Sequence, residues 1–161
     1  MQTLEPAPAA SSLMLELSRV IRAPRAQVYE AWTNPEIAQQ WFGPAGMFCP
    51  TMAFDVRPGG AYRMEVASTP EAIAANPDAA KRGGVATGNY TQVVPNELLQ
   101  FTWDPSWNPG EHTLVTVSLR DVTGGTEITL RHEKFLTEQS RDGHNLGWTG
   151  CLDKLTTQLQ N

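Results

Sequence analysis

The sequence predicts an α+β domain in which a curved antiparallel sheet of about seven strands is covered on its apolar face by one long C-terminal helix. Three observations lead there. Segment after segment alternates apolar and polar residues at period two between Gly, Pro and Asn turns. The C-terminal stretch changes to helical spacing, and no other stretch keeps that spacing long enough to cover a sheet. A length of 161 residues suits one domain that buries a core of its own.

Leu13, Leu15, Leu17 and Ile21 share one side of a first strand, which Arg22-Ala23-Pro24 ends. Val28 and Trp32, spaced i, i+4, stripe a short helix whose first turn tolerates Pro24, because the missing N–H has no partner there to lose. Asn34 caps a second short helix, Pro35 opens it, Ile37 and Trp41 form its stripe, and Gly43-Pro44 stops it. Met52, Phe54 and Val56, then Tyr62, Met64 and Val66, read as a hairpin about Arg57-Pro58-Gly59-Gly60. Ser68 to Gly84 carries no strand pattern and is expected to be a long loop with room for one helical turn, a candidate lid.

Four more strands follow, over Val85–Val94, Leu98–Asp104, His112–Arg120 and Thr126–Phe135. Their inward sets are Leu99, Phe101 and Trp103, then Val115, Val117 and Leu119, then Ile128, Leu130 and His132. The last helix is expected from about Arg141, with Trp148, Cys151, Leu152, Leu155 and Leu159 as its stripe. Gly143, Gly147 and Gly150 interrupt it, each costing up to ~1 kcal/mol relative to Ala in a helix interior. Close approach of another backbone, or room left for a ligand, would each explain such a cost. The order is therefore strand, two short helices, about six strands and one long helix.

Composition narrows the function. Twelve Lys plus Arg against 17 Asp plus Glu give a net charge of −5 with no basic cluster, which disfavours nucleic acid and anionic membrane surfaces as partners. Cys49 and Cys151 are too few and too far apart for a disulfide scaffold and read as thiols of a reducing compartment. Residues 1–12 are neither signal nor transit peptide and are expected to form a disordered tail ahead of a single domain over 13–161. No apolar run approaches the ~18 residues that span a membrane, so the expected location is cytoplasmic.

Arg19-Val20-Ile21-Arg22-Ala23-Pro24, Val28-Tyr29-Glu30-Ala31-Trp32, Pro35-Glu36, Trp41-Phe42-Gly43-Pro44 and Arg57-Pro58-Gly59-Gly60 form an ordered series. Gly88-Asn89-Tyr90, Pro95-Asn96-Glu97-Leu98-Leu99, Val115-Thr116-Val117 and Gly147-Trp148 to Leu155 continue it. In this order, over most of the chain, they resemble the START-like superfamily, also called the SRPBCC or birch-pollen-allergen-like fold. Within it the resemblance is to the bacterial branch related to the C-terminal domain of the activator of the ninety-kilodalton heat-shock protein ATPase. It implies a helix-grip fold with a pocket for hydrophobic molecules between sheet and C-terminal helix. The superfamily includes cyclases, lipid and hormone binders and a chaperone activator, so the fold alone does not settle the activity.

The implied pocket nominates Trp41, Trp103 and Trp148 around one interior, with Phe54, Tyr62, Met64 and Phe101 as further wall. Tyr90 and His132 are the polar groups that would orient a ligand; alternatively, His132 is a core histidine bonded to a backbone carbonyl. Trp107 is expected on a loop at a pocket mouth or partner surface, and His112 and His144 are expected to be exposed. Asp55, Arg57, Glu65 and Glu133 fall on the outward parity of a solvated face. No nucleophile elbow, phosphate-binding glycine loop or metal-ligand spacing is found, so neither catalytic residue nor cofactor is expected. The expectation is a protein, monomer or homodimer, that binds a hydrophobic or aromatic small molecule. A polyketide cyclase-like enzyme and a chaperone-binding module are the alternatives.

Overall fold

A computed structural model describes residues 13–160. The expected tail over 1–12 lies outside the described residues. The chain runs β1 (Met14–Ile21), α1 (Arg25–Thr33), α2 (Pro35–Trp41), β2 (Met47–Phe54) and β3 (Ala61–Ser68), then α3 (Pro70–Ala75) and a 3₁₀ turn (Pro77–Lys81). It ends with β4 (Gly83–Val94), β5 (Leu98–Pro105), β6 (Thr113–Val122), β7 (Gly125–Glu133) and α4 (Glu138–Gln160). The seven strands form one antiparallel sheet in the order β1-β7-β6-β5-β4-β3-β2, so the first strand closes on the last and the β2–β3 hairpin forms the far edge. The sheet curls around α4 as a half-barrel, and its inward residues build the core.

The period-two pattern explains which face is inward. Ile128, Leu130 and His132 on β7 stand opposite Leu119, Val117 and Val115 on β6, and all six are buried. Tyr62, Met64 and Val66 on β3, with Leu99, Phe101 and Trp103 on β5, continue the apolar face. Helix α2 begins as its sequence requires, with Asn34 Oδ1 accepting from the Glu36 N–H at 3.0 Å and Pro35 in the first turn. Between β2 and β3, Gly60 has its own reason, since a Cβ there would stand 1.9 Å from the Asp55 carbonyl oxygen.

Three expectations need correction. Ser68 to Gly84 carries two helical segments in place of a loop with one helical turn: it holds α3 and the 3₁₀ turn, each started by a capping side chain (Thr69, Asn76) followed by a proline. It is also pinned, because the Ser68 hydroxyl donates to the Ala79 carbonyl at 2.6 Å in a buried contact. Helix α4 begins at Glu138 rather than Arg141, since the Thr137 hydroxyl accepts from the Ser140 N–H at 3.1 Å and so caps an additional turn. His144, expected at the surface, is buried on the inner stripe of α4.

Helix α4 is held by β1 and by the loop between α2 and β2. Arg19 on β1 meets Asp153 at 3.3 Å, and the Lys154 ammonium donates to the Gly43 carbonyl at 2.7 Å. Among the described residues, no helix is long and apolar enough to cross a membrane.

Candidate functional site

Between α4 and the open end of the half-barrel lies a cleft of about 650 Å³. Strand β3 contributes Val66, β5 contributes Trp103, and the β5–β6 loop contributes Trp107 and Asn108. Phe42, Pro44 and Met47 line one side, and Lys81, Arg82 and Gly83 form the rim where the 3₁₀ turn enters β4. Helix α4 supplies Ser140, Gly143, His144, Gly147, Trp148 and Cys151.

The helix glycines divide by role. A Cβ on Gly150 would lie 3.2 Å from Pro44 Cα, so this glycine permits close backbone approach. Gly143 and Gly147, one turn apart, both line the cleft, and a Cβ on either would meet nothing within 4 Å. Two glycines therefore remove side chains from the surface that faces the cleft.

In this wall and just behind it, two histidines and two tryptophans are hydrogen-bonded in pairs. Trp148 Nε1 donates to His132 Nδ1 at 3.0 Å, and His132 Nε2 lies 2.7 Å from the Thr113 hydroxyl, which donates to the Trp103 carbonyl at 2.9 Å. Trp103 Nε1 donates to His144 Nε2 at 3.2 Å, and His144 Nδ1 donates to the Ser140 carbonyl at 2.9 Å. Burial lowers the affinity of both imidazoles for a proton; His144 lowers that of His132 further, while the Ser140 carbonyl and Glu111 partly offset the effect of burial at His144. Trp107 stacks on His144 with ring centroids 6.1 Å apart and a 28° interplanar angle, closing the outer side of the cleft.

Glu111 is buried but compensated. Its carboxylate accepts from the Ser140 hydroxyl at 2.5 Å, the Leu136 N–H at 2.9 Å and the Asn108 amide at 3.4 Å. Ser140 is thus a donor to a carboxylate, and the His144 proton is committed to a backbone carbonyl. These bonds use the acid, hydroxyl and imidazole to fix one another, and no nucleophile–base pair results. Among the described residues, no group of three or more His, Cys, Asp and Glu side chains is placed to hold a metal ion.

The structure does not gather the nine sequence-nominated residues into one ring. Trp103 and Trp148 line the cleft. Trp41, Phe54, Tyr62, Met64, Tyr90 and Phe101 instead surround a separate hollow of about 20 Å³, room for a single water molecule. There Trp41 donates to the Ala31 carbonyl at 3.0 Å, and Tyr62 donates to the Thr102 carbonyl at 2.5 Å. His132 lines neither space, being fully buried with both nitrogens engaged. Phe42 lines both spaces and stands between them, with its ring 5.6 Å from that of Trp148. Sequence reasoning missed His144, although its place four residues before Trp148 puts it on the same stripe, and missed Glu111 and Ser140, whose 29-residue separation leaves no local signal.

A curled antiparallel sheet gripping a C-terminal helix, with an aromatic cleft between them, is the START-like helix-grip fold. A family model described as Activator of Hsp90 ATPase homolog 1-like protein matches residues 22–160, and the chain belongs to that family. Among solved structures, protein CV1439 from Chromobacterium violaceum is similar at 27% identity and a TM-score of 0.78, covering 92% of this chain and 97% of that one. An AHSA1-like protein from Aeromonas hydrophila is similar at 20% identity and 0.73, covering 90% of each chain. CalU16 from Micromonospora echinospora is similar at 23% identity and 0.65, covering 91% of this chain and 75% of that one. None of the curated proteins is significantly similar to the chain.

Proposed function

We propose that the protein binds an aromatic or hydrophobic small molecule in the cleft between sheet and α4, without a cofactor and in the cytoplasm. The observation that carries this reading is the pair Gly143 and Gly147. Each weakens the helix by up to ~1 kcal/mol relative to Ala, and neither is required by contact with another backbone. What they leave is open space beside the Trp103, Trp107 and Trp148 rings. Ligand sites have this composition, an apolar and aromatic lining with few polar groups.

The family description also brings a chaperone into view as a partner. The small-molecule reading is preferred because its support lies in this chain's own cleft. Titration with naphthylacetamide, followed by tryptophan fluorescence, tests it. Saturable quenching is expected in the parent protein, with loss of binding in Gly147→Leu, whose side chain would occupy the cleft. Unchanged quenching in Gly147→Leu, or none in the parent, counts against it.

A further inference from the structure

The charged groups that line the cleft are of one sign. Lys81 and Arg82 stand on the rim, and among the described residues no Asp or Glu lines the cleft, against a net charge of −5 for the whole chain. Among the described residues, Arg82 makes no ion pair. Lys81 has only a loose partner, Asp78 at 3.8 Å, with both side chains more than four-fifths exposed. Such a pair exchanges readily for another anion. The two cations are nevertheless placed by the fold. Lys81 ends and Arg82 directly follows the 3₁₀ turn that the buried Ser68–Ala79 hydrogen bond pins to β3, and the Arg82 N–H donates to the Ala79 carbonyl at 3.0 Å.

The one buried acid near the cleft, Glu111, already accepts from three donors and does not line the space. We propose that the ligand is an acid, with an apolar or aromatic body among Trp103, Trp107 and Trp148 and a carboxylate at the rim against Lys81 and Arg82. This rests on the small-molecule reading above and adds the ligand's charge to it. The chemistry suits an amphiphilic anion. The body loses its water in the aromatic interior, while the carboxylate stays at a wet edge and avoids the cost of burying a charge. A cationic ligand would meet like charge at Lys81 and Arg82, the charged groups among the described lining residues.

Naphthylacetic acid and naphthylacetamide share a body and differ in charge, so the pair isolates the rim. At low ionic strength, tryptophan fluorescence should show the acid binding about tenfold more tightly than the amide, with the advantage shrinking as salt is added. In the double variant Lys81→Gln, Arg82→Gln, the acid should fall to the amide's affinity. Equal affinities in the parent protein, or an acid preference that survives in the double variant, would overturn the charge assignment while leaving the cleft reading intact. Failure of both probes to bind would overturn both.

Discussion

The Trp148 indole N–H donates to His132 Nδ1 at 3.0 Å, and this bond fixes the state of a fully buried imidazole. An indole nitrogen can only donate, so Nδ1 must be the bare acceptor and Nε2 must carry the proton given to Thr113. The same logic holds for Trp103 and His144, where Nε2 accepts and Nδ1 carries the proton given to the Ser140 carbonyl. Both rings must therefore be neutral, because a proton on either acceptor nitrogen would face an indole N–H.

This predicts acid-sensitive stability. The folded-state pKa of each histidine lies below the ordinary 6.5 because burial disfavours the charged ring. The unfolded chain then binds more protons in the window between the folded value and 6.5. Stability is complete above pH 6.5 and declines as pH falls through that window, by at most about 1.4 kcal/mol per pH unit for each histidine. Urea unfolding midpoints between pH 7 and 5 should fall in the parent protein and fall less in His144→Gln. Parallel pH profiles would contradict the assignment.

His132→Phe keeps the ring's bulk but leaves the Trp148 N–H without an acceptor and takes from the Thr113 oxygen the Nε2–H it accepts, while the Thr113 hydroxyl keeps its bond to the Trp103 carbonyl. A loss of roughly 1–3 kcal/mol is expected, in keeping with the cost of stranding a buried donor. Chemical denaturation measures it, and a loss below about 0.5 kcal/mol, the level of a neutral surface change, would show that the pairing matters little.

Glu111→Gln should also destabilise. The carboxylate accepts at both oxygens, from Ser140 and from the Leu136 N–H, and an amide turns one acceptor into a donor facing another donor. The expected cost is about 1–3 kcal/mol, read from the same unfolding curves.

The glycines of α4 should separate stability from binding. Gly143→Ala and Gly147→Ala place a methyl group in open space and should each stabilise by up to about 1 kcal/mol, raising the melting temperature by roughly 2–4 °C. Gly150→Ala pushes a methyl group to 3.2 Å from Pro44 Cα and should lose that gain or reverse it. Thermal melts of the three variants make the comparison.

The strands were legible because period two survives even where side chains differ, as Tyr62, Met64 and Val66 show. The cap of α2 was read correctly from Asn34-Pro35-Glu36. The same signature recurs at Thr69-Pro70-Glu71 and Asn76-Pro77-Asp78, where the lack of an apolar stripe hid two short helical turns inside a presumed loop. The helix glycines drew attention to the cleft in advance, but their different roles depend on what lies opposite each one. Seven of the nine nominated residues, all but the helical Trp41 and Trp148, share an inward strand parity, and parity gives a face of the sheet without a position along it. The cleft and the small hollow occupy different parts of that face, separated by Phe42.

The five indole N–H resonances provide the most direct test of the cleft as a binding site. In a heteronuclear NMR titration with naphthylacetic acid, Trp103, Trp107 and Trp148 should shift with one shared affinity while Trp32 and Trp41 stay in place. No movement at any indole, or shifts confined to Trp32 and Trp41, would contradict it.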